Sequence, residues 1–451
     1  MSTSTSQRSA KESTVALNDF APQGRAQALQ KLLDAEGRAA PAWQPVANMH
    51  CHTFFSFNAY GYSPTGLAWL ARERGWPLLG LIDFDVLDGV DEFLAACDAA
   101  GVRGTCGIET RAFFPEFATR ETSSPGEPGV TYHIGLGFTS STAPAEAQPM
   151  LDDLRARSRA RNLGVIERVN AHLAPVHVNY EQDVLPLTPA GNATERHMVE
   201  AIIAAVERDA ADSSAFWADR LNMSRGEVEK MVATPASYRN TVRAKLMKKG
   251  GVGYVQPGSG SFPSLDAVAR FIEQCGALPC YGWVDGASEG EQAIGELLDV
   301  HIKHGTVMAN IVPDRNWNFA DASVRRAKAQ KMDEFVETLQ ALDLPINIGT
   351  EMNSPGNKLI DDFDVPEMDK HRTAFLDGAY FIYGHTAMQR ALGMGYQSPW
   401  SKQAMGSRRE RNAFYTAVGK AVDPGPSGSA RLSAISSVMA PADILARLGQ
   451  G

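Results

Sequence analysis

The feature that most constrains this chain is a regular alternation, beginning near residue 46, of short apolar runs with amphipathic helical ones. "PVANMHCH" reads as the end of a strand, "PTGLAWLARERG" as a helix, "PLLGLIDF" as a buried strand, "GVDEFLAACDAAG" as a helix and "RGTCGIETRAFF" as a strand. Strands alternating with helices predict parallel βαβ units, since a parallel neighbour is reached only through a crossover. Between about 140 and 250 the rhythm gives way to charged, alanine-rich helical segments such as "MLDDLRARSRARNLGVIERVNAHL". It resumes in "LDAVARFIEQCGALPCYGWVDG", "IGELLDVHIKHGTVMANIVPD", "KMDEFVETLQALDLPINIGTEMN" and "FLDGAYFIYGH".

The predicted organisation is an N-terminal extension over 1–45, disordered to about residue 15 and then helical to Gly37. A first half-barrel over 46–139, a helical insertion over 140–250, a second half-barrel over 251–395 and a C-terminal extension over 396–451 follow. With 451 residues there is chain enough for one large α/β barrel with insertions. A net charge of -9 gives no electrostatic footprint for nucleic acid, so a small molecule is the expected partner. The five cysteines, Cys51, Cys97, Cys106, Cys275 and Cys280, form no CxxC pair and fit a reducing cytoplasm. No signal-peptide core and no apolar run of about 18 residues is present, so no membrane association is expected.

In parallel α/β folds chemistry gathers at the carboxyl ends of strands. His50 and His52 close the first predicted strand, Asp83 and Asp85 the second and Glu109 the third; His133 lies close to the fourth and Glu351 closes a late one. Residues i and i+2 of a strand share a face, so both histidines can enter one site. Two neutral imidazoles and a carboxylate suit zinc, manganese or iron, although an HxH is equally a pair of half-buried polar side chains. In "NIVPDRNWN", beside Asn310 and Asp314, Arg315 can take a carboxylate or phosphate bidentately. Lys358, in a loop with Asn353 and Asn357, can meet an anion as a point charge or simply be solvated. His385 is expected at a strand end, within reach of a barrel mouth, or in the core. Asp88 reads as the cap of a helix beginning at Gly89, and His301 and His304 as a solvated helix face.

The succession "HCHTFFS", "LIDFDVLDGVDEF", "CGIETR" and "YHIGLGF" resembles the polymerase and histidinol phosphatase (PHP) domain of metal-dependent hydrolases, over about residues 46–355. The resemblance implies a distorted (β/α)7 barrel with a helical insertion, holding up to three metals and hydrolysing phosphate esters. The first metal position would use His50, His52, a bridging Glu109 and Glu351, which stands where the family has Asp. The second would use Glu109, His133 and a His whose place is taken by Trp283 in "CYGWVDG", with Asp285 near enough to substitute. Phe57, Phe84 and Asn353 stand where ligands of the third belong. His197 matches a helix His, which implies substrate contact; by itself it reads equally as a helical His near a capping box.

The resulting expectation is a cytoplasmic metal-dependent hydrolase, a phosphoesterase of a small phosphorylated metabolite. It holds one divalent ion (zinc, manganese or iron) and has room for a second near His133. Asp83 orients a ligand, Asp85 acts as general base, and His197 joins them. Arg315, Lys358, Asn353 and His385 contact an anionic substrate. The alternatives are a non-hydrolytic isomerase, epimerase or lyase acting on a sugar or sugar acid, and a catalytically silent binding domain. A homo-oligomer stays open.

Overall fold

Helix α1 (Pro22–Glu36) leads into β1 (Ala47–Cys51), α2 (Pro64–Arg74), β2 (Leu78–Phe84), α3 (Val90–Ala100) and β3 (Arg103–Phe113) in this computed structural model, which describes residues 15–36 and 41–449. The disorder expected at the N-terminus falls on 1–14, and the helix stop on Gly37, both outside the described residues. Local signals set these elements: α2 starts at Ser63, whose side chain accepts from Gly66 N, has Pro64 at its first position, and stops at Gly75 with φ 70°.

β4 (Val130–Leu136) follows β3 through a connection holding only a short turn, Pro115–Phe117, and therefore returns antiparallel. This corrects the all-parallel expectation: no crossover helix stands between β3 and β4. A group of five helices follows: α4 (Gln148–Leu173), α5 (Glu195–Asp209), α6 (Ser213–Arg220), α7 (Arg225–Val232) and α8 (Pro235–Met247). They share an apolar core of their own that includes Val169, Ile202, Trp217 and Val242. After α9 (Leu265–Gln274) come β5 (Leu278–Gly282), α10 (Ile294–Lys303), β6 (Met308–Ile311), α11 (Ala322–Ala341) and β7 (Ile346–Ile348).

The seven strands pair in chain order, with β4 antiparallel to both neighbours and the rest parallel. Beyond β7, Cys51 bridges Glu351, His52 N donates to Glu351 O at 2.8 Å and Glu351 N donates to His50 O at 2.8 Å. The sheet thus curls into a nearly closed α/β barrel, a distorted TIM-like architecture. Gly349 permits the approach: a Cβ there would lie 2.5 Å from His50 Cβ and His50 N.

"FLDGAYFIYGH", expected as a strand, lies in α12 (Arg372–Leu392). Burial of Phe375, Phe381, Ile382, Tyr383 and Met388 on nearly every side erases the helical period, so its apolar run imitates a buried strand. Helix α12 and α13 (Arg408–Ala421) pack with Met49, Ile82, Ile134 and Met308 in one apolar cluster that seals the lower end of the barrel, joined by α14 (Pro441–Leu448). No helix among the described residues is long and apolar enough to cross a membrane.

Candidate metal centre

The end of β1 presents His50, with His52 just beyond it, and β3 presents Glu109 opposite them. Glu109 Oε2 lies 3.5 Å from His50 Nε2 and 3.3 Å from His52 Nε2, and the three ligand atoms all fall within 4.8 Å of one another. Both imidazoles are fully buried, and the same three atoms have no hydrogen-bond partner.

The tautomers follow from the outer partners. Asn310 Oδ1 accepts from Asn347 Nδ2 and is 3.1 Å from His50 Nδ1, so His50 carries its proton on Nδ1. Ser56 donates to Asp83 Oδ1 at 2.6 Å, which spends its only hydrogen; toward His52 Nδ1, 3.0 Å away, its oxygen can only accept. Each neutral imidazole therefore turns a bare Nε2 toward a carboxylate oxygen. Three lone pairs converging without a donor call for a cation, and the 3.3 and 3.5 Å spacings match the roughly 3.4 Å expected between ligands each about 2.1 Å from a tetrahedral ion. The site is compatible with a metal. A proton can stand in for that cation: burial disfavours charge on both His50 and Glu109, yet their mutual attraction raises the His50 pKa and lowers that of the Glu109 carboxyl.

Backbone strain concentrates here. Of the six non-glycine residues with positive φ among the described residues, Asp85 (57°) and Glu351 (63°) line this mouth, and Phe57 (86°) and Met352 (59°) are chain neighbours of the lining residues Ser56 and Glu351. Above it opens a cavity of about 930 Å³, bounded by barrel residues such as Glu109, Tyr132 and Arg315 and by Arg161, Arg196 and Lys248 of the insertion.

No family model and no curated protein matches this chain. Two solved structures are similar to it: an amidohydrolase from Chromobacterium violaceum with bound sulfate and no metal, at 17% identity and TM-score 0.48, and a candidate metal-dependent phosphoesterase from Bifidobacterium adolescentis, at 18% and 0.45. Each match covers 73% of this chain and 96% of the other.

Several expected ligands go elsewhere. The Glu351 carboxylate is engaged by Arg315 Nη2, at 2.7 and 2.8 Å from its two oxygens, and stays outside the histidine cluster. His133 sits on the far face of antiparallel β4, stacked on His301 with ring centroids 5.9 Å apart, and burial drops its pKa to about 3. Asp285 pairs with Lys328 at 2.6 Å and lies outside the cavity lining. Its neighbour Trp283 does line the cavity.

His385 is in α12, where its Nδ1 accepts from Tyr396 N at 2.9 Å. It packs under Gly137, past the lower end of β4, so it cannot reach the mouth. Lys358 is held by Asp314 at 3.1 Å and by the Trp317 ring at 3.6 Å. Asp88 pairs with Arg155 at 2.6 Å instead of capping α3. His301 is buried against Tyr281 and Phe114, and His304 pairs with Asp266 and Glu116, so neither forms a solvated face.

Asp83 does not touch the cavity; buried, it accepts from Thr53 N, Thr53 Oγ1 and Ser56 Oγ and acts on His52 through that serine. Asp85 does line the cavity. Burial raises its pKa, opposed by Arg161 and by a 2.6 Å bond from Thr110. His197 accepts from Thr194 N in a capping box and meets Phe57 edge-to-face at 5.1 Å; burial lowers its pKa to about 4. Asn353 lines the cavity.

The two phenylalanines have structural work. Phe84 stacks on His52, with centroids 4.5 Å apart, and its carbonyl accepts from Asn192 of the insertion at 2.9 Å. Sequence reasoning missed Ser56, Tyr132, Arg111, Arg161, Arg168 and Arg196. The seven-residue spacing of Arg161 and Arg168 on one helix face was the visible signal.

Proposed function

We propose that the protein is a metal-dependent phosphoesterase of small phosphorylated metabolites, a divergent PHP-type hydrolase of the cytoplasm. The observation that carries this is the convergence of His50 Nε2, His52 Nε2 and Glu109 Oε2, with Glu109 lining a cavity whose walls are strongly basic. A bound zinc, manganese or iron ion would act there as a Lewis acid on a phosphoryl oxygen and lower the pKa of a water toward about 7.

The chain's own residues supply the rest. Arg315 uses Nη2 on Glu351 and lines the cavity, so its other guanidinium N–H groups are available to phosphate oxygens. Asp85, its pKa raised by burial, is placed to move a proton at the cavity wall. Phe84 excludes water from one flank of His52. Arginines thus take a share of the charge neutralisation for which other phosphoesterases use additional ions.

The Phe84–His52 stack also favours a second reading: one ion flanked by a hydrophobic ring suits polarising the carbonyl of a sugar acid for isomerisation, epimerisation or cleavage. Panels of phosphomonoesters and sugar acids, run with zinc, manganese and iron, separate the two. Phosphate release abolished by Glu109→Gln supports the phosphoesterase; inertness toward every ester overturns it.

A further inference from the structure

Eight cationic and five acidic side chains line the cavity of a chain whose net charge is -9. Each acid is already engaged: Glu109 by the two histidines, Glu351 by Arg315, Glu127 by Arg111 at 2.9 Å, Glu195 by Arg243 and Lys248 at 2.8 Å each, and Asp85 by Thr110. Lys249, the remaining lysine, is largely exposed.

Three arginines of the insertion have no carboxylate within hydrogen-bonding distance among the described residues. Arg161 comes no nearer than 3.7 Å to Asp85. Arg168 donates to Gly253 O at 2.8 and 3.1 Å, and Arg196 to Asn240 Oδ1 at 2.7 Å. The partners of Arg168 and Arg196 are neutral, and the Asp85 carboxylate stands off from Arg161 beyond hydrogen-bonding distance, so the compensation is weak for charges taken partly out of water. Burial, with Arg243 alongside, pulls the Arg196 guanidinium down to about 10, a fall that the more distant charges of Glu195, Glu351 and Glu200 oppose without cancelling. Arg161 is also held in place, over the Phe262 ring at 4.8 Å, with Arg111 over the same ring at 4.3 Å. A single phosphate beside Glu109 and Arg315 leaves Arg168 and Arg196 without an anion and Arg161 with only the distant Asp85.

We propose that Arg161, Arg168 and Arg196 form a subsite for a second anionic group, so that the favoured substrate is a phosphate ester carrying a further phosphate or carboxylate; this substrate class rests on the phosphoesterase reading.

The test is calorimetric binding of non-hydrolysable probes to the full-length, zinc-loaded protein: propylphosphonate, propane-1,3-diyl bisphosphonate and 3-phosphonopropionate. The expected result is a doubly anionic probe bound about tenfold or more tighter than propylphosphonate, with the advantage reduced at least about threefold in Arg161→Gln or Arg196→Gln. Which of the two probes gains more tells phosphate from carboxylate. Affinities within about twofold for all three probes in the unmodified protein overturn the subsite, and that arm needs no variant to fold. An advantage that both substitutions leave intact overturns it as well. Turnover is read separately: an absence of phosphate release from propyl phosphate counts against the phosphoesterase reading, while the affinity ratio still decides the subsite.

Discussion

Ser56 Oγ donates its hydrogen to Asp83 Oδ1 across 2.6 Å, and this fixes what it can offer His52. With that hydrogen spent, the serine can only accept from His52 Nδ1, and the ring must present Nε2 unprotonated to Glu109.

Loss of this outer contact weakens metal binding without removing a ligand. Ser56→Ala is expected to lower zinc affinity about 10- to 100-fold, measured by competition with a chelating dye, while His52→Ala or Glu109→Gln abolishes stoichiometric binding in metal analysis. Unchanged affinity in Ser56→Ala would show that the serine does not set the tautomer.

Arg315 is expected to act on phosphate oxygens and to hold Glu351. Arg315→Met should lower kcat/KM for phosphomonoesters by about 10² to 10³ and leave metal content unchanged, with Arg315→Lys recovering only part, since an ammonium cannot bridge both groups as a planar fork does. Steady-state kinetics together with metal analysis checks this. Full activity in the methionine variant would remove Arg315 from the mechanism.

Acid should destabilise the fold in a defined window. Burial lowers His133 and His385 to about 3 each, from an unfolded value near 6.5. The unfolded chain therefore binds the extra protons first. Stability is full above pH 6.5 and falls as pH drops from there toward 3, by up to about 1.4 kcal/mol per pH unit for each histidine. Urea unfolding across this range should show the slope, and His133→Leu should flatten it; both nitrogens of this ring lack partners, so leucine costs no hydrogen bond. An identical slope in the variant would contradict the assignment.

The lower cap tolerates no added methyl. A Cβ on Gly419 would lie 1.9 Å from Tyr380 O, and one on Gly384 2.0 Å from Tyr415 O, where α12 and α13 cross. Gly419→Ala should lose about 1–3 kcal/mol or more through overpacking, seen as a lower urea midpoint, although alanine is the better helix former. Greater stability in the variant would mean that the helices separate freely.

How legible the molecule is in its sequence depends on whether the signal is local. Pro64 and Gly75 bound α2 by chemistry that needs no partner, and the i, i+2 spacing of His50 and His52 places both on one face wherever the strand lies. By contrast α12 hides as a strand because its surroundings, and not its own period, bury it on every side.

The sequence by itself determined the βα rhythm, the helical insertion and the HxH with Glu109 on the next strand but one, because period and cap chemistry act within a few residues. Only the tertiary structure decided that β4 runs antiparallel and turns His133 away from the mouth, that Glu351 serves Arg315, and that arginines from α4 and α5 wall the cavity. Those outcomes depend on which side chains meet across hundreds of residues. There the cost of burying an unpaired charge selects the partner, and no local pattern records it.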